Sequence, residues 1–386
     1  MKKLLLLSAS ASLLSSAAWL QASPLFSVGD NVDVFFDGSS NLRWSSNLFN
    51  NESGEVDDLL LTVTPGFEVD FGRGESNADL RVKANYDILR YDSRSELDTE
   101  LVHIKADGSY ESGRLVVGAA VNFDERQSSS EDTGAGDELY ESENTGADLN
   151  GEYQFSPKFS FGAGLSYEDT EYVSSNAAGL FADRENVVVP VNVYYELTPK
   201  VDLSFGYVRT ESDVTAASGN DNTAYEQVSE YYSVGARGDL LPKLSGSFDL
   251  GYTENDLTSE GMFGASLDFK YAVSQKLTSF LSLSRDFGVG GAGDSTENSS
   301  VKLRANYSID EQYSVAANVG YDFRDYVLGT DVGREDDQYS AGVRLNYVLD
   351  QNWRFSTGYD YSENNSTKAN SSYVNHSLSL SASLRY

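Results

Sequence analysis

Few side chains in this chain could act as nucleophiles, bases or soft metal ligands. Its 386 residues include no cysteine and two histidines, so we expect neither thiolate chemistry nor a histidine-built zinc site. His376 lies among serines, and a serine beside a histidine is a nucleophile and base combination. No orienting acid is identifiable and serine-rich strands are common, so a lipid-hydrolysing enzyme is the disfavoured alternative and we expect no enzyme.

A glycine-rich segment from Gly288 to Gly293 reads GVGGAG and satisfies the dinucleotide-binding pattern. That pattern needs a helix directly after it, whereas this chain continues DSTENSS. We interpret the segment as an external loop and expect no cofactor.

Charged side chains are abundant and mostly acidic. Sixty acidic against 28 basic residues give a net charge of −32, which disfavours nucleic-acid binding over the general surface. Such a surface is suited to recruiting divalent cations.

The elements that position these charges are β-strands, because apolar and polar residues alternate almost everywhere after residue 30. In the last segment Leu378, Leu380 and Leu384 alternate with serines and Arg385. Counting an irregular first strand, the pattern predicts roughly 18 strands, within a range of about 16 to 18. Pro65 and Pro190 fall inside predicted strands and predict a bulge or break at each.

Six three-residue turns keep the apolar face continuous, since each is flanked by apolar residues four positions apart. The flanking pairs are Phe155/Phe159, Leu197/Val201, Leu240/Leu244, Val273/Leu277, Ile309/Tyr313 and Leu349/Trp353.

Short turns alternate with long polar connections, as on the two rims of an outer-membrane barrel. The long connections cover residues 125–143, 173–184, 212–222, 288–298 and 327–337. Aromatic pairs eight residues apart, about 21 Å along a tilted barrel, indicate two girdles at the edges of a lipid-facing band. These pairs are Phe159/Tyr167, Tyr313/Tyr321 and Trp353/Tyr361.

A soluble β-sandwich is the alternative architecture, but the second face of these strands is too polar to be its core. The pattern therefore predicts an all-β fold, a transmembrane antiparallel up-and-down barrel. Residues 1–22 look like a secretory signal peptide, with two lysines before an apolar stretch and small residues at its end, which leaves residues 23–386 as the barrel.

Several of these features together resemble a known family, the putative β-barrel porin 2 family of Gram-negative outer membranes. They are the signal peptide, the absence of cysteine, the acidic loops, the repeated Tyr-x-x-[Ser/Thr/Leu]-Pro-Lys hairpin and the terminal aromatic residue. The resemblance runs from about residue 30 to Tyr386 and implies an outer-membrane location and a general expectation of pore activity. The last strand, with Leu380, Leu384 and Tyr386, is similar to the signal read by the barrel-assembly machinery.

Strand parity predicts which charges face the lumen. In the order predicted from the sequence, the fifth to ninth strands place only acidic charges in the lumen and no basic residue. These residues form an acidic wall: Asp124, Asp148, Glu152, Glu168, Glu196 and Asp202. Strands 14 to 17 place a basic wall there against Asp322 and Asp360, formed by Lys302, Arg304, Arg324, Arg344 and Arg354. Opposed walls would create a transverse field across the pore, whereas charges that pair across strands would only stabilise the lumen; both interpretations stay open.

The third external loop, from about Glu125 to Glu143, is predicted to fold into the lumen, by analogy with general porins. Its candidate constriction residues are Glu131, Asp132, Asp137 and Glu138. A solvated loop that binds divalent cations weakly is the alternative.

The sequence thus predicts a passive diffusion channel for small hydrophilic solutes in the outer membrane, with lipid, lipopolysaccharide and the assembly machinery as partners. Two rivals are an exopolysaccharide-export or exosortase-associated barrel, and a closed structural or adhesive barrel. Neither the solute nor the oligomeric state follows from the sequence.

Overall fold

A computed structural model of the chain describes residues 23–72, 77–129, 138–173, 180–215, 224–257 and 261–386. The predicted signal peptide, residues 1–22, lies outside this range. Among the described residues, no helix is long and apolar enough to span a bilayer.

Nineteen strands and one 3₁₀ turn make up the described secondary structure. The strands are β1 Phe26–Val28, β2 Val32–Ser45, β3 Asp58–Phe71, β4 Ala78–Tyr91, β5 Thr99–Ser112, β6 Leu115–Ser129, β7 Leu139–Gln154, β8 Phe159–Tyr172, β9 Arg184–Thr198, β10 Val201–Val214, β11 Tyr225–Leu241, β12 Leu244–Asn255, β13 Gly261–Ala272, β14 Leu277–Val289, β15 Ser295–Ser308, β16 Tyr313–Leu328, β17 Glu335–Val348, β18 Trp353–Ser366 and β19 Tyr373–Arg385, and the 3₁₀ turn is Ser95–Leu97.

Eighteen of these strands, β2 to β19, form a closed antiparallel ring. Each strand pairs with its neighbours in chain order, and β19 pairs with β2 from Ser377↔Ser45 to Arg385↔Asp37. The short β1 pairs with the first residues of β2, on the rim where the chain ends. The predicted all-β fold, an up-and-down barrel of about 18 strands, is confirmed.

The barrel carries its apolar side chains outside and its polar ones inside. On β10, Phe205 is 55% exposed, whereas its neighbour Ser204 is buried. The same alternation exposes Leu149, Val234, Val319 and Leu380 on the outer wall. A soluble protein would hide these side chains, so the outer band matches hydrocarbon.

The predicted aromatic pairs lie on this outer wall. Phe159, Tyr313 and Trp353 stand at the short-turn rim and are exposed. Their partners Tyr167, Tyr321 and Tyr361 lie toward the other rim, and their hydroxyls donate to the carboxylates of Glu185, Asp337 and Glu363, respectively. An amphipathic tyrosine with its hydroxyl in a polar layer suits the edge of a lipid band.

Four of the six predicted turns have the expected geometry. The pairs Phe155/Phe159, Val273/Leu277, Ile309/Tyr313 and Leu349/Trp353 continue the register of their hairpins. The rings of Phe155 and Phe159 stack with centroids 6.0 Å apart.

The other two turns differ from the prediction. Leu241, not Leu240, pairs with Leu244, because a one-residue irregularity follows Asp239 and a two-residue turn closes the hairpin. Proline at the second position of that turn and φ +79 at Lys243 in the third are the geometry of a type II turn. At the other turn, Val201 pairs with Thr198 across a similar one-residue shift.

At Pro65 and Pro190, where the sequence predicted a bulge or a break, the structure has no bulge but a two-residue break in pairing on one side of each proline. Both strands keep one register through the proline, with Gly38↔Pro65 and Val208↔Pro190. On the opposite side of each proline the pairing is interrupted for two residues and then resumes in the same register. Gly164 stands against the Pro190 ring, where an added Cβ would lie 3.1 Å from its Cγ, so a glycine accommodates the ring without a shift.

Three of the five predicted external loops, those at 125–143, 288–298 and 327–337, are shorter than expected because strands extend beyond the apolar band. β6 and β7 pair as far as Ser129↔Leu139, and β14 and β15 as far as Val289↔Ser295. The GVGGAG segment thus lies at the end of β14 and in the turn that follows. Polar residues on both faces hid these extensions from a test based on alternation.

Removing Tyr386 should weaken the closure of the ring. The Phe36 amide donates to the Tyr386 carbonyl at 2.6 Å, and the Tyr386 amide donates to the Phe36 carbonyl at 2.9 Å. Two backbone hydrogen bonds contribute about 1–3 kcal/mol in total. We expect the truncated chain to show a lower midpoint of urea unfolding in lipid vesicles, while Tyr386→Phe, which keeps both bonds, stays near the parent; equal midpoints for the truncated and parent chains would contradict this.

Candidate pore and its external mouth

The two predicted walls lie on opposite arcs of the ring. The acidic residues come from β6 to β10 and the basic residues from β15 to β18. Four strands, β11 to β14, separate the arcs on one side, and five strands, β19 and β2 to β5, separate them on the other.

Most acidic-wall residues have polar partners. Asp124 contacts the His103 ring at 3.1 Å, and the other nitrogen of that ring lies 3.3 Å from Asp87. Asp148 accepts a hydrogen bond from Ser166 at 2.6 Å. The expectation that these strands carry no basic residue of lumen parity is wrong, since Arg126 on β6 and Arg184 on β9 share that parity.

Arg237 on β11 is the main cation of the acidic arc, and the prediction missed it. Its guanidinium donates two hydrogen bonds to Glu152, at 2.8 and 2.9 Å, and two to Asp202, at 3.2 and 3.3 Å. It also lies over the ring of Tyr194, 3.3 Å from the centroid. Parity alone places Arg237 inside, because Val234 faces outward, but nothing in the sequence indicates a contact with β7 across three strands.

The basic wall is paired more loosely. Lys302 lies 3.3 Å from Asp322, and Arg344 lies 3.9 Å from Asp360, with about half of each of the latter two side chains exposed. Arg324 donates to the Tyr326 hydroxyl at 3.3 Å. The positive charge of Arg385 repels that of Arg354. Arg304 lies between the Lys302 and Asn306 positions on the same inward face of β15.

A second inward cluster lies at the β19–β2 seam. Arg385 donates to Glu68 at 2.8 Å and lies over the ring of Phe35, 4.2 Å from its centroid. Lys83 and Asp37 pair nearby at 2.6 Å. The first pair holds β19 to β3 across the closure, and the second holds β2 to β4 beside it.

The first external loop, residues 46–57, reaches across part of the mouth. Asn50 donates to Ser129 on β6 at 2.9 Å and accepts from Asn375 on β19 at 3.3 Å. Four strands lie between β19 and β6 in the ring. Asn375 also accepts from the Ser45 hydroxyl and the Asn47 amide, so it anchors the start of the loop.

The outer ends of β6 and β7 leave their neighbours and form a two-stranded ribbon. β5 pairs with β6 only as far as Asp124, and β8 pairs with β7 only as far as Ser142. Leu139 on the ribbon packs against the buried cluster of Leu48, Phe49 and Tyr91. Burial at this cluster raises the pKa of Tyr91, above the outer girdle, to about 12.

Of the four candidate constriction residues, the structure describes Glu138. Glu131, Asp132 and Asp137 lie outside the described residues. Glu138 is half-buried next to Leu139. The first loop, which the sequence interpretation did not single out, meets the ribbon here.

A second contact crosses the mouth between β9 and β14, which have four strands between them. The Ala182 amide donates to the Gly291 carbonyl at 3.0 Å, and Arg184 donates to the Val289 carbonyl at 2.9 Å. The ring centroid of Phe181 lies 4.4 Å from that of Tyr140 on the ribbon, so the segment before β9 contacts the ribbon of β6 and β7.

The external turns after β16 and β18 join this network. Asp294 accepts from the Asp331 amide at 3.1 Å, and Lys368 pairs with the Asp331 side chain at 2.8 Å. Arg334 is almost fully buried and pairs with Asp336 at 2.6 Å. Burial, with the charge of Asp294 adding to it, raises the pKa of Tyr225 at the outer end of β11.

The other sequence candidates lie elsewhere. His376 is on the outer wall, with its Nδ1 2.8 Å from the Tyr359 hydroxyl. Leu380 and Tyr386 of the proposed assembly signal are exposed on the same wall, and Leu384 pairs with Trp353. No group of three His, Cys, Asp or Glu side chains within the described ranges is placed to hold a metal ion.

Replacing Asn375 by alanine should release the first external loop. The change removes the anchors of Asn47 and Asn50, worth about 1 kcal/mol each. We expect amide hydrogen exchange of Leu48 and Asn51 to accelerate about tenfold or more, while strand amides keep their protection. Asn365→Ala, an exposed amide on β18, is the matched control; unchanged loop exchange in Asn375→Ala would refute the anchoring role.

Comparison with known proteins gives one family and several barrel structures. The sequence model of the family described as "Putative beta-barrel porin 2" matches residues 38–386. No protein among the curated ones matches the chain.

Three solved structures from Pseudomonas aeruginosa illustrate the structural matches. The ferric enterobactin receptor PfeA is 9% identical, with a TM-score of 0.49 over 94% of this chain and 82% of that one. The outer membrane protein OpdK is 11% identical, with a TM-score of 0.46 over 92% and 99%. The siderophore receptor PirA is 11% identical, with a TM-score of 0.46 over 91% and 80%. The family match runs from within β2 to the last residue, and the chain therefore belongs to the β-barrel porin 2 family.

Proposed function

We propose that this protein is an outer-membrane channel for the passive diffusion of small hydrophilic solutes. The observation that carries the proposal is the closed ring whose outer wall is apolar and whose inner wall is lined by charged and hydroxyl side chains. Such an inner wall is costly in a dry core but favourable around water.

Selectivity comes from the charges on the two arcs and from the width of the mouth. The proposed basic wall keeps two half-exposed cations, Lys302 and Arg344, accessible to solutes. The acidic arc offers the carboxylates of Glu168, Glu196 and the other members of the proposed acidic wall. Anionic groups of a solute would be drawn to one side and cationic groups to the other.

The external contacts narrow the entrance in this proposal. The first loop and the β6/β7 ribbon cover one side, and the contact between Ala182 and Gly291 spans another. Small solutes would pass beside these segments, whereas large polymers would be excluded.

A closed structural barrel is the second candidate, and the same crossings favour it. If they seal the mouth, the acidic outer rim would serve adhesion or cation binding instead of transport. Lipid and lipopolysaccharide around the outer wall, recognition of the last strand by the assembly machinery, and removal of residues 1–22 belong to both candidates.

Electrical recording from pure refolded protein separates the two candidates. We expect stepwise conductance in planar bilayers and swelling of liposomes in small neutral sugars, because water fills a polar lumen. Heat-modifiable mobility on a gel provides the folding control. Folded barrels that give neither conductance steps nor swelling would exclude the diffusion channel and leave the closed barrel.

Shortening the ribbon tests whether it narrows the mouth. We expect deletion of residues 128–138 to raise single-channel conductance, because the deletion removes the partner of Asn50 and the tip beyond it. Asn365→Ala again serves as the external control. Unchanged conductance in a folded deletion variant would sink the constriction idea.

A further inference from the structure

Arg237 occupies a built site inside the barrel. Its side chain is 12% exposed, as is that of Asp202, and Glu152 is 16% exposed. The side chains come from β7, β10 and β11, and the ring of Tyr194 on β9 covers the guanidinium. Side chains from β7, β9 and β10 thus contact the guanidinium that β11 supplies.

Glycine on the intervening strand makes this convergence possible. Gly162 on β8 pairs with Glu152 and faces the lumen beside Tyr194. A Cβ at Gly162 would lie 3.2 Å from the Tyr194 ring, so a larger side chain would crowd the ring that stacks on Arg237. The Arg237 side chain reaches Glu152 across this position, where Gly162 has no side chain.

The charge of the cluster is unequal, since one guanidinium binds two carboxylates and its charge also acts on a third, that of Asp249 on β12. At the spacings observed, the cation offsets one of the two negative charges and holds both carboxylates in fixed positions. Burial reduces screening by salt, so the arginine acts more strongly here than the half-exposed Arg344 does beside Asp360.

We infer that Arg237 is a specificity-determining residue of the pore, which limits the preference for cations that the acidic arc would otherwise impose. The inference rests on the proposed channel function and names the residue that tunes it. The cluster lies near the short turns after Gln154 and before Val201, so it acts at the inner end of the lumen. Ions that enter or leave at that end pass the cluster.

A purely structural arginine would give a different result. Loss of a brace between β7 and β11 would lower the stability of the barrel and leave the ratio of cation to anion permeability unchanged. The permeability ratio is therefore the readout that separates the two roles.

The test is the reversal potential of single channels in a KCl gradient. We expect Arg237→Gln to raise the ratio of potassium to chloride permeability about twofold or more at low salt, where the Debye length is longest. Arg237→Lys keeps the charge and should keep the ratio, even where lost stacking weakens the barrel. Arg209→Gln makes the same change of charge on the outer wall, where Arg209 pairs with Glu211, and should leave the ratio as it is.

Glu152→Gln covers the case in which Arg237→Gln fails to fold. That variant removes one carboxylate and should lower the permeability ratio. An unchanged ratio in a folded Arg237→Gln barrel, or in Glu152→Gln where the first does not fold, overturns the inference while the channel function stands. Absence of any conductance in the parent protein overturns both.

Discussion

The seam between β19 and β2 is the constraint on which the rest of this structure depends. A strand inside hydrocarbon has no water to satisfy its amides and carbonyls, so a sheet there must close on itself. Nine consecutive pairs join the two strands, and the last residue of the chain adds two more hydrogen bonds through Phe36. Closure places β2 and β19 side by side, with the start of β2 and the end of β19 on the rim of short turns.

Closure also fixes which side chains meet the lumen. Side chains alternate strictly along a strand, so a single slip in register would turn a whole wall inside out. Pro65 and Pro190 are where such a slip was expected, and the ring passes both without one. The loss of a donor on one side of each proline is absorbed as a short gap in pairing, and Gly164 leaves room for the Pro190 ring. The inward parity of Glu196 and Asp202 is preserved for this reason.

Much of the fold was predictable from the sequence because period-two alternation is a local signal that lipid outside and water inside both reinforce. The strand count, the outward position of Phe159 and Trp353 and the inward position of Arg344 all follow from it. The alternation of apolar and polar residues ends at the edge of the lipid-facing band. Beyond the outer girdle, polar residues on both faces hid the strand extensions toward Ser129 and Val289, so the loops at these two places were predicted too long.

Contacts between strands distant in the ring could not be predicted, and the site depends on them. Asn50 meets Asn375 because closure places β19 beside β2, and Arg237 meets Glu152 because its long side chain reaches across three strands. Neither pair has a spacing or motif in the sequence that would reveal it. The effective charge of the proposed acidic wall depends on a cation from outside that wall, Arg237. A count of charges by strand therefore overestimates the field across such a pore wherever a long side chain from a neighbouring arc can reach them.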